Sequence, residues 1–333
     1  MKAFVVEKYK KNGPLSLVDR PKPQVQDKDV LVRIEATAVN VLDAKIRNGE
    51  FKIFLPYRPP FVLGHDVAGT VVDVGPGVRR FKIGDEIYAR PRDNRVGTFA
   101  EFIAIDENDV ALKPRTLTME EASSIPLVAL TAWQALVDVA KVKPGQKVFI
   151  QAGSGGVGTI AIQLAKHLGA TVATTTSAKN AALVKSLGAD IVIDYTTDDF
   201  EKVLSGYDVV LNSQDPKTLA KSLKVLKPGG HLVSISGPPD PGFADALKLN
   251  GLLKFVIRLL SRSVRKQAKR LGVQYSFLFM RADGRQLEQI AELIDKGILS
   301  PVVDKVFPFA QTPEALAYVE TGRAKGKVVI KVG

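Results

Sequence analysis

The sequence has 333 residues, of which 45% are hydrophobic and 25% are charged. This is the composition of a globular protein with an ample core, and the length suggests about two domains. No uncharged apolar stretch of about 18 residues occurs, which argues against a transmembrane helix, and the absence of cysteine excludes disulfides and thiolate metal sites.

The chain begins directly with a strand pattern, residues 1–6. This stretch has neither the apolar core of a signal peptide nor the Arg- and Ser-rich character of a transit peptide. A cysteine-free chain is also compatible with a reducing compartment. We therefore expect a cytoplasmic protein.

The pattern of residues 1 to about 125 predicts short strands, such as 30–34 and 67–72. Turns that contain glycine or proline, at 74–78 and 82–85, separate these strands. This alternation is typical of an all-β, barrel-like domain.

From about residue 126 the pattern changes to alternating strands and helices, which is typical of parallel βαβ winding. The predicted strands are 147–151, 170–175, 191–194, 208–212, 231–236 and 275–280, with helical patterns at 181–187 and 217–226 and a tight turn at 227–230. A helix near 285–296, a strand near 302–308, a helix near 313–321 and a last strand at 327–331 follow.

The loop after the strand at 147–150 carries the clearest signal for function. It consists of Gly153, Ser154, Gly155, Gly156, Val157 and Gly158. Its glycines fit G-x-G-x-x-G, and a strand before it and a helix after it supply the context of a dinucleotide-binding turn. Glycine permits close approach of backbone N–H groups to a pyrophosphate, and the helix N-terminus supplies partial positive charge.

The end of the second strand of this unit distinguishes the two nicotinamide cofactors. An NAD site usually has Asp or Glu there, which holds both ribose hydroxyls. This chain has the acid-free run 174–179 instead, in which Lys179 suits a 2′-phosphate. The alternative is that Lys179 is a solvated residue that opens the next helix. We predict NADPH.

The net charge of +12 is concentrated in one segment. Between Ala246 and Ala282 there are nine Lys or Arg and no Asp or Glu. From Lys254 to Lys269 the cations recur at three- or four-residue spacing, which predicts one basic face of a helix whose remainder is largely apolar. Such a helix suits a solvated lid over the substrate cleft, or a peripheral membrane contact through 248–270. Nucleic acid is a third possibility, which no recognised motif supports.

Five motifs carry a resemblance to a known family. They are N-V-L-D-A-K-I-R-N-G at 40–49, L-G-H-D-V-A-G at 63–69, L-T-A-W at 130–133, the glycine loop at 153–158, and G-R-A-K-G-K at 322–327. With these motifs the chain resembles, from end to end, the medium-chain dehydrogenase/reductases of the zinc-free quinone oxidoreductase (ζ-crystallin-like) branch. The basic segment followed by 275–280 is also similar to chloroplast-envelope quinone oxidoreductase homologues.

The resemblance implies an α/β protein of two domains. A GroES-like, β-barrel-type catalytic domain is expected at 1–125 and 283–333, so that the tail returns to the first domain. An NADPH-binding Rossmann domain, with a doubly wound six-stranded parallel sheet, is expected at 126–282. The resemblance also implies a homodimer that pairs edge strands such as 275–280.

Zinc-dependent members of this family hold a catalytic metal with Cys, His, and Cys or Asp. Here His65 remains, but Asn40 stands where the first Cys would be, and no cysteine supplies another ligand. A catalytic zinc needs about three protein ligands. We therefore expect no metal and interpret His65 as a hydrogen-bonded packing residue.

Without a Lewis acid, the expected acceptor is a carbon conjugated to a carbonyl, in an enone, an enal or a quinone. Hydride adds at the β-carbon, and the charge that appears on the oxygen requires a hydrogen-bond donor. The resemblance places Asn40 and Asp43 in the cleft that faces the nicotinamide, where Asn40 donates to the carbonyl and Asp43 fixes Asn40 or a water. The alternative is that this pair only closes a loop between strands.

The source of the proton is open. Phe51 stands where family members often carry a tyrosine. Tyr57 either reaches the cleft as a donor or is plain packing. Solvent is the remaining proton source.

On the cofactor side, the resemblance assigns Thr131 to the nicotinamide region. It assigns Ser177, Lys179 and Tyr195 to the 2′-phosphate, with Lys327 as a further candidate. Tyr195 follows the strand at 191–194, at a carboxyl end where open α/β sheets bind ligands. A surface tyrosine is the alternative at that position.

The sequence thus predicts an NADPH-dependent reductase of α,β-unsaturated carbonyls or quinones, with a small-molecule substrate and no specific nucleic-acid partner. The missing tyrosine and the basic segment leave one alternative. This is a nucleotide-binding protein of enzyme fold that acts mainly through a membrane or protein partner.

Overall fold

The computed structural model describes residues 1–53, 55 and 57–333, and the chain divides into two compact units. Unit 1 comprises Met1–Leu130 and Arg281–Gly333, and unit 2 comprises Thr131–Met280. The C-terminal segment therefore belongs to the same unit as the N-terminal one.

The first part of unit 1 is rich in strands. They are β1 (Lys2–Val6), β2 (Ser16–Asp19), β3 (Asp29–Val39), β4 (Phe61–Val62), β5 (Asp66–Val74), β6 (Glu86–Ala89), β7 (Phe102–Asp106) and β8 (Val110–Leu112). The helices of this part are α1 (Val41–Asn48), α2 (Met119–Ser123) and the start of α3 (Pro126–Trp133), which continues as a π-helical turn, Gln134–Val139.

Strands and helices alternate through unit 2. The strands are β9 (Lys147–Ile150), β10 (Thr171–Thr176), β11 (Ile191–Asp194), β12 (Tyr207–Asn212), β13 (Leu226–Ser234) and β14 (Gln274–Phe277). The helices are α4 (Gly156–His167), α5 (Ala181–Ser186), α6 (Phe200–Val203), α7 (Pro216–Lys224), α8 (Pro241–Ala246), α9 (Gly251–Leu260) and α10 (Arg262–Leu271). The returning segment contains α11 (Gly284–Asp295), β15 (Val303–Pro308), α12 (Thr312–Glu320) and β16 (Lys327–Lys331).

The sheet of unit 2 is parallel, with the strand order β11-β10-β9-β12-β13-β14. The strand order reverses at β9, which has β10 on one side and β12 on the other. Val148, Phe149 and Ile150 are consecutive and fully buried, so both faces of β9 are covered, as in a doubly wound sheet. The predicted six-stranded parallel sheet is thereby confirmed.

Unit 1 is built on the long strand β3, which pairs with β5, β7 and β16 in antiparallel fashion. The larger sheet has the order β15-β16-β3-β5-β6-β8, and a smaller one has the order β2-β1-β4. Val328 of β16 lies opposite Val39 of β3, and through this pairing the C-terminal strand joins the sheet of the N-terminal segment. Apolar residues of β3, β5, β6 and β7 form the core of this unit, among them Val32, Val67 and Ile87.

Two local predictions differ from the structure. The predicted turn at 227–230 is a bulge within β13, because Leu226 already pairs with Tyr207 and the ladder resumes at His231. The predicted single basic helix is wrong, because α9 and α10 meet at Ser261. The Ser261 hydroxyl donates to the Ile257 carbonyl at 2.9 Å, a local bond that competes with regular helix geometry.

No helix in the described part of the chain is long and apolar enough to cross a membrane.

Candidate active site and cofactor loop

Antiparallel pairing brings three polar residues of unit 1 to one edge of its larger sheet. Ala38 of β3 lies opposite Asp66 of β5, and Val39 lies opposite Val328 of β16. Asn40 directly follows β3, and Lys327 opens β16. The register alone therefore places Asn40, Asp66 and Lys327 close together.

Asp66 and Lys327 form a buried ion pair at this edge. The Asp66 side chain is fully buried and that of Lys327 is 5% exposed, with 3.0 Å between Oδ2 and Nζ. Asp66 Oδ2 also accepts from Asn40 Nδ2 at 2.8 Å, and Oδ1 accepts from the Leu127 backbone N–H at 2.7 Å. Lys327 donates further to Asn40 Oδ1 at 2.5 Å and to the Val39 carbonyl at 3.2 Å. Both charges are thus hydrogen-bonded as well as paired, which burial requires.

This network changes the roles expected for two residues. The Asn40 amide accepts from Lys327 and donates to Asp66, and its other contact is to the Ala38 carbonyl at 3.4 Å. The geometry supports the alternative that Asn40 closes the end of β3, and it does not support donation to a substrate carbonyl. The three partners of Lys327 are all atoms of unit 1, so the geometry does not support a phosphate contact by that residue either.

Asp43 connects the start of α1 to His65. Its Oδ2 accepts from the Asn40 backbone N–H at 2.7 Å, and its Oδ1 lies 2.6 Å from His65 Nδ1. Asp43 and His65 are both fully buried. His65 Nε2 is buried and has no partner among the residues that the structure describes.

This set of donors does not fit a catalytic zinc. Within residues 1–53, 55 and 57–333, no group of three His, Cys, Asp or Glu side chains is arranged to hold a metal ion. His65 Nε2 is the one ring nitrogen left for a ligand, because Nδ1 is bound to Asp43, and the Asn40 amide is engaged with Lys327 and Asp66. A zinc site needs about three such ligands around an open position.

Tyr57 is half-buried, and its hydroxyl donates to the Asp93 carbonyl. Its ring lies 5.1 Å from the ring of Phe61. Burial, and next the negative charge of Asp93, raise the pKa of the Tyr57 phenol well above its usual value. A phenol with a raised pKa is a weak acid, so this environment disfavours Tyr57 as a proton donor.

Arg90, which directly follows β6, is a buried cation that the sequence did not suggest as a candidate. It is 1% exposed, and its Nη2 pairs with the carboxylate of Asp93. Its Nε and Nη1 are buried and have no hydrogen-bond partner in the described part of the chain. A buried donor without an acceptor costs about 1–3 kcal/mol, and more when it is charged. The only sequence signal was an arginine at the end of an apolar strand pattern, which is too common to predict a site.

The glycine loop of unit 2 lies between β9 and α4, at the point where the strand order reverses. Gly155 is the N-cap of α4, so the first N–H groups of that helix point out of the loop. The loop is fixed to the end of β10, because the Ser154 hydroxyl accepts from Thr176 at 2.9 Å and from Asn180 at 3.2 Å. An added Cβ at Gly158 would lie 2.3 Å from the Ala152 carbonyl oxygen, whereas one at Gly155 would have that oxygen at 3.3 Å as its nearest contact. These residues fit a pyrophosphate at the helix N-terminus.

The parallel register of β10 and β11 aligns two of the residues expected near the 2′-phosphate. Thr176 pairs with Asp194, and so Ser177 and Tyr195 leave the sheet side by side. Tyr195 is 64% exposed, and Lys179 is exposed in a 3₁₀ turn, Ala178–Asn180. Thr131, expected in the nicotinamide region, lies in α3 and is 4% exposed.

The same register also brings an acid to this edge, which the linear sequence of β10 did not show. The Asp194 carboxylate accepts from the backbone N–H groups of Ala178 and Thr196, each at 3.0 Å. These bonds, the one from Thr196 first, hold the pKa of Asp194 below its usual value. The end of β10 is therefore free of acidic residues, but the neighbouring end of β11 carries Asp194. The two backbone N–H groups that donate to the Asp194 carboxylate partly offset the negative charge of that side chain.

A second feature that the sequence did not suggest is a chain of buried hydrogen bonds at the carboxyl ends of β9, β12 and β13. Gln151, which precedes the glycine loop, accepts from Asn212 at 2.7 Å and donates to Ser222 at 2.5 Å. Asn212 in turn accepts from Ser234 at 2.6 Å. These hydrogen bonds fix Gln151, two residues before the glycine loop begins.

A glycine loop at the switch point of a doubly wound parallel sheet is typical of a dinucleotide-binding protein. The model of the alcohol dehydrogenase GroES-like domain matches residues 26–115, and that of the zinc-binding dehydrogenase matches residues 187–330. The chain is 35% identical to the mitochondrial NAD(P)H oxidoreductase RTN4IP1 of Danio rerio, over 100% of this chain and 91% of that protein.

Two further comparisons agree with this result. The chain is 35% identical to the chloroplastic NADPH-dependent alkenal/one oxidoreductase of Arabidopsis thaliana, over 99% of this chain and 79% of that protein. The solved structure of the quinone oxidoreductase from Coxiella burnetii has a TM-score of 0.86 and 30% identity, and the match covers 100% of this chain and 99% of that one.

The chain belongs to the medium-chain dehydrogenase/reductase superfamily, in the branch of quinone oxidoreductases and alkenal/one reductases. It is an NAD(P)H-dependent oxidoreductase with a small-molecule substrate. The family and the fold class expected from the motifs, a GroES-like domain plus a Rossmann sheet, are confirmed.

Replacing Gly155 and Gly158 separately by alanine should distinguish the two tasks of the loop. In Gly158→Ala the new Cβ meets backbone that cannot move freely, so we expect a loss of about 1–3 kcal/mol in the free energy of unfolding. In Gly155→Ala the nearest contact of the new Cβ is at 3.3 Å, which a shift of a few tenths of an ångström relieves. This variant should lose less stability than Gly158→Ala, and we expect its methyl group at the helix N-cap to weaken the binding of NAD(P)H. Denaturant unfolding and cofactor titration measure the two effects, and equal stability of the two variants would contradict this assignment.

Proposed function

We propose that the protein reduces the conjugated carbon–carbon double bond of enones, enals or quinones with NADPH, without a metal. The observation that carries this proposal is the buried network in which Asn40 binds Lys327 and Asp66 while Asp43 binds His65. It leaves His65 Nε2 as a single candidate ligand atom among the described residues, too few for a catalytic zinc. Without a Lewis acid on the carbonyl, an acceptor whose charge is delocalised through conjugation is favoured. The names of the Arabidopsis and Coxiella relatives, an alkenal/one and a quinone oxidoreductase, support the same class of acceptor.

NADPH is the proposed cofactor rather than NADH. When bound, the cofactor supplies the hydride, and the protein supplies position and electrostatics. Lys179 is exposed two residues after Ser177, at the edge where Tyr195 also leaves the sheet. A cation and hydroxyl groups at this edge suit a 2′-phosphate, and the two backbone donors to Asp194 lower the repulsion from its carboxylate.

Lys179→Ala should remove most of a preference for NADPH over NADH. We expect wild type to bind NADPH at least about tenfold more tightly, a difference of about 1.4 kcal/mol. Lys185→Ala, which removes an exposed cation one helix further on, is the matched control and should keep the preference. Fluorescence titration of the three proteins with both cofactors measures the six dissociation constants. Equal affinities of wild type for NADPH and NADH would refute the proposed cofactor.

Arg90 is the proposed partner of the substrate oxygen. Hydride addition at the β-carbon moves an electron pair onto the carbonyl oxygen, which becomes an enolate. The two unpaired nitrogens of Arg90 suit such an anion, and the Asn40 amide is engaged elsewhere. The Nε and Nη1 atoms of Arg90 are buried, so the substrate oxygen reaches them only when the surrounding side chains move. Tyr57 is held near Arg90 by the bond from its hydroxyl to the Asp93 carbonyl. Solvent is the proposed source of the proton at the α-carbon.

NADPH oxidation with enones, enals and quinones of graded size tests both the acceptor class and Arg90. Arg90→Met keeps the volume of the side chain and removes its donors, so kcat should fall by about 10²–10³, with little change in NADPH affinity. Asp93→Asn weakens the ion pair but keeps Arg90, and it should retain most of kcat.

Two results would count against these assignments. Wild-type kcat in Arg90→Met would remove Arg90 from the reaction. Binding of NADPH without oxidation by any acceptor would favour the alternative of a nucleotide-binding protein that acts through a partner.

We also propose a homodimer, supported by the position of β14 at an edge of the parallel sheet. An edge strand has unpaired backbone groups, which a second copy can satisfy by pairing with it. The cytoplasmic location stays a prediction of the sequence.

A further inference from the structure

One surface of unit 2 combines exposed apolar side chains with a high density of positive charge. We call it the α9–α10 surface. Its apolar members, which are 40–73% exposed, are Leu247, Leu252, Phe255, Val256, Leu259 and Leu260. Its exposed cations are Arg258, Arg262, Lys266, Lys269 and Arg270. Soluble monomers rarely expose contiguous apolar patches of this kind, and such patches usually mark an interaction site.

Helix α9 is fixed to the protein, although most of its apolar side chains face solvent. Ile257 is 1% exposed and anchors the helix. The Asn250 side chain caps the first turn by accepting from the Leu253 N–H at 3.0 Å, and Lys254 pairs with Asp245 at 2.8 Å. The exposed side chains are therefore presented by a folded helix.

The exposure of this surface does not support the interpretation of the segment as a lid. A lid would pack its apolar side on the protein, yet Leu252 is 73% exposed and Phe255 is 58% exposed. The side chain that does pack inward from this helix is Ile257. The free surface of α9 thus needs an occupant other than this chain's own core.

The charge of the surface indicates which occupant fits. Its five exposed cations lie in α9 and α10, and neither helix contains Asp or Glu. A second copy of the same surface would bring like charges together, which opposes self-association. A nucleic acid would use the cations but would leave the apolar side chains of α9 in water. An anionic lipid surface satisfies both, because phosphates pair with the cations and the interface accepts the apolar side chains.

We propose that the α9–α10 surface docks the protein peripherally on membranes that contain anionic lipids. Leu252, Phe255 and Leu259 enter the headgroup region, while Arg258 and Arg262 contact lipid phosphates. No helix in the described residues is able to span a bilayer, so the contact is interfacial. The proposal does not depend on the identity of the substrate.

Co-sedimentation with vesicles tests this docking. Wild type is mixed with vesicles of phosphatidylcholine alone or with phosphatidylglycerol added, at low and high salt. We expect binding that needs the anionic lipid and weakens with salt. Leu252→Gln with Phe255→Gln, and separately Arg258→Gln with Arg262→Gln, should each lower the partition coefficient at least about tenfold, with NADPH binding unchanged.

Matched controls change the same residue types elsewhere. Ile83→Gln with Val203→Gln removes exposed apolar side chains, and Lys185→Gln with Lys202→Gln removes two exposed cations. Both controls should bind vesicles like wild type. NADPH titration of every variant shows that unit 2 is folded.

Three outcomes would overturn the proposal. The first is equal binding to vesicles with and without phosphatidylglycerol. The second is a change from dimer to monomer in the α9 variants, measured by analytical ultracentrifugation, with unaltered vesicle binding. That result would assign the α9–α10 surface to a contact with a second copy of the protein. The third is vesicle binding by the Leu252 and Phe255 variant equal to that of wild type. If that variant also kept tight binding to RNA while the arginine variant lost it, the occupant would be a nucleic acid.

Discussion

The arrangement of unit 1 depends on the buried ion pair between Asp66 and Lys327. The pair joins the start of β5 to the start of β16, strands that lie on either side of β3. Removing one partner of such a pair leaves an uncompensated buried charge, at a cost of about 3–5 kcal/mol. Because both partners also bind the Asn40 side chain, the pair fixes the residue at the end of β3. The amide at that position is engaged on both sides, which is the basis of the proposed metal-free reaction.

Unit 2 contributes by different means, since its glycine loop offers backbone groups and a helix N-terminus rather than charged side chains. The loop is fixed from two sides, by Ser154 through its bonds to Thr176 and Asn180, and by Gln151 through the buried amide of Asn212. Such fixed dipoles need no reorganisation when a charged ligand binds. Exposed positive charge lies at Lys179 and on the α9–α10 surface, for which we propose the 2′-phosphate and anionic lipid as the respective partners.

Features that depend on neighbouring residues were predictable from the sequence, and features that depend on distant pairing were not. The glycine loop follows from six consecutive residues, and the strands of unit 2 follow from short apolar runs such as Val148–Ile150. Asp66 and Lys327 meet only through the register of β5, β3 and β16, and Asp194 reaches the cofactor edge only through the register of β11 with β10. The division of the basic segment at Ser261 is an exception, because the Ser261–Ile257 bond found there is local and yet a helical period does not reveal it.

We propose that hydride is added to a conjugated carbon without a metal. The most direct test of this proposal uses NADPH that carries deuterium at C4 of the nicotinamide, in each of its two stereochemical forms, with an enone and a metal chelator. We expect a saturated ketone with deuterium at the β-carbon from one of the two forms, and a solvent proton at the α-carbon. Deuterium at the carbonyl carbon of an allylic alcohol, or loss of the reaction on chelation, would contradict it.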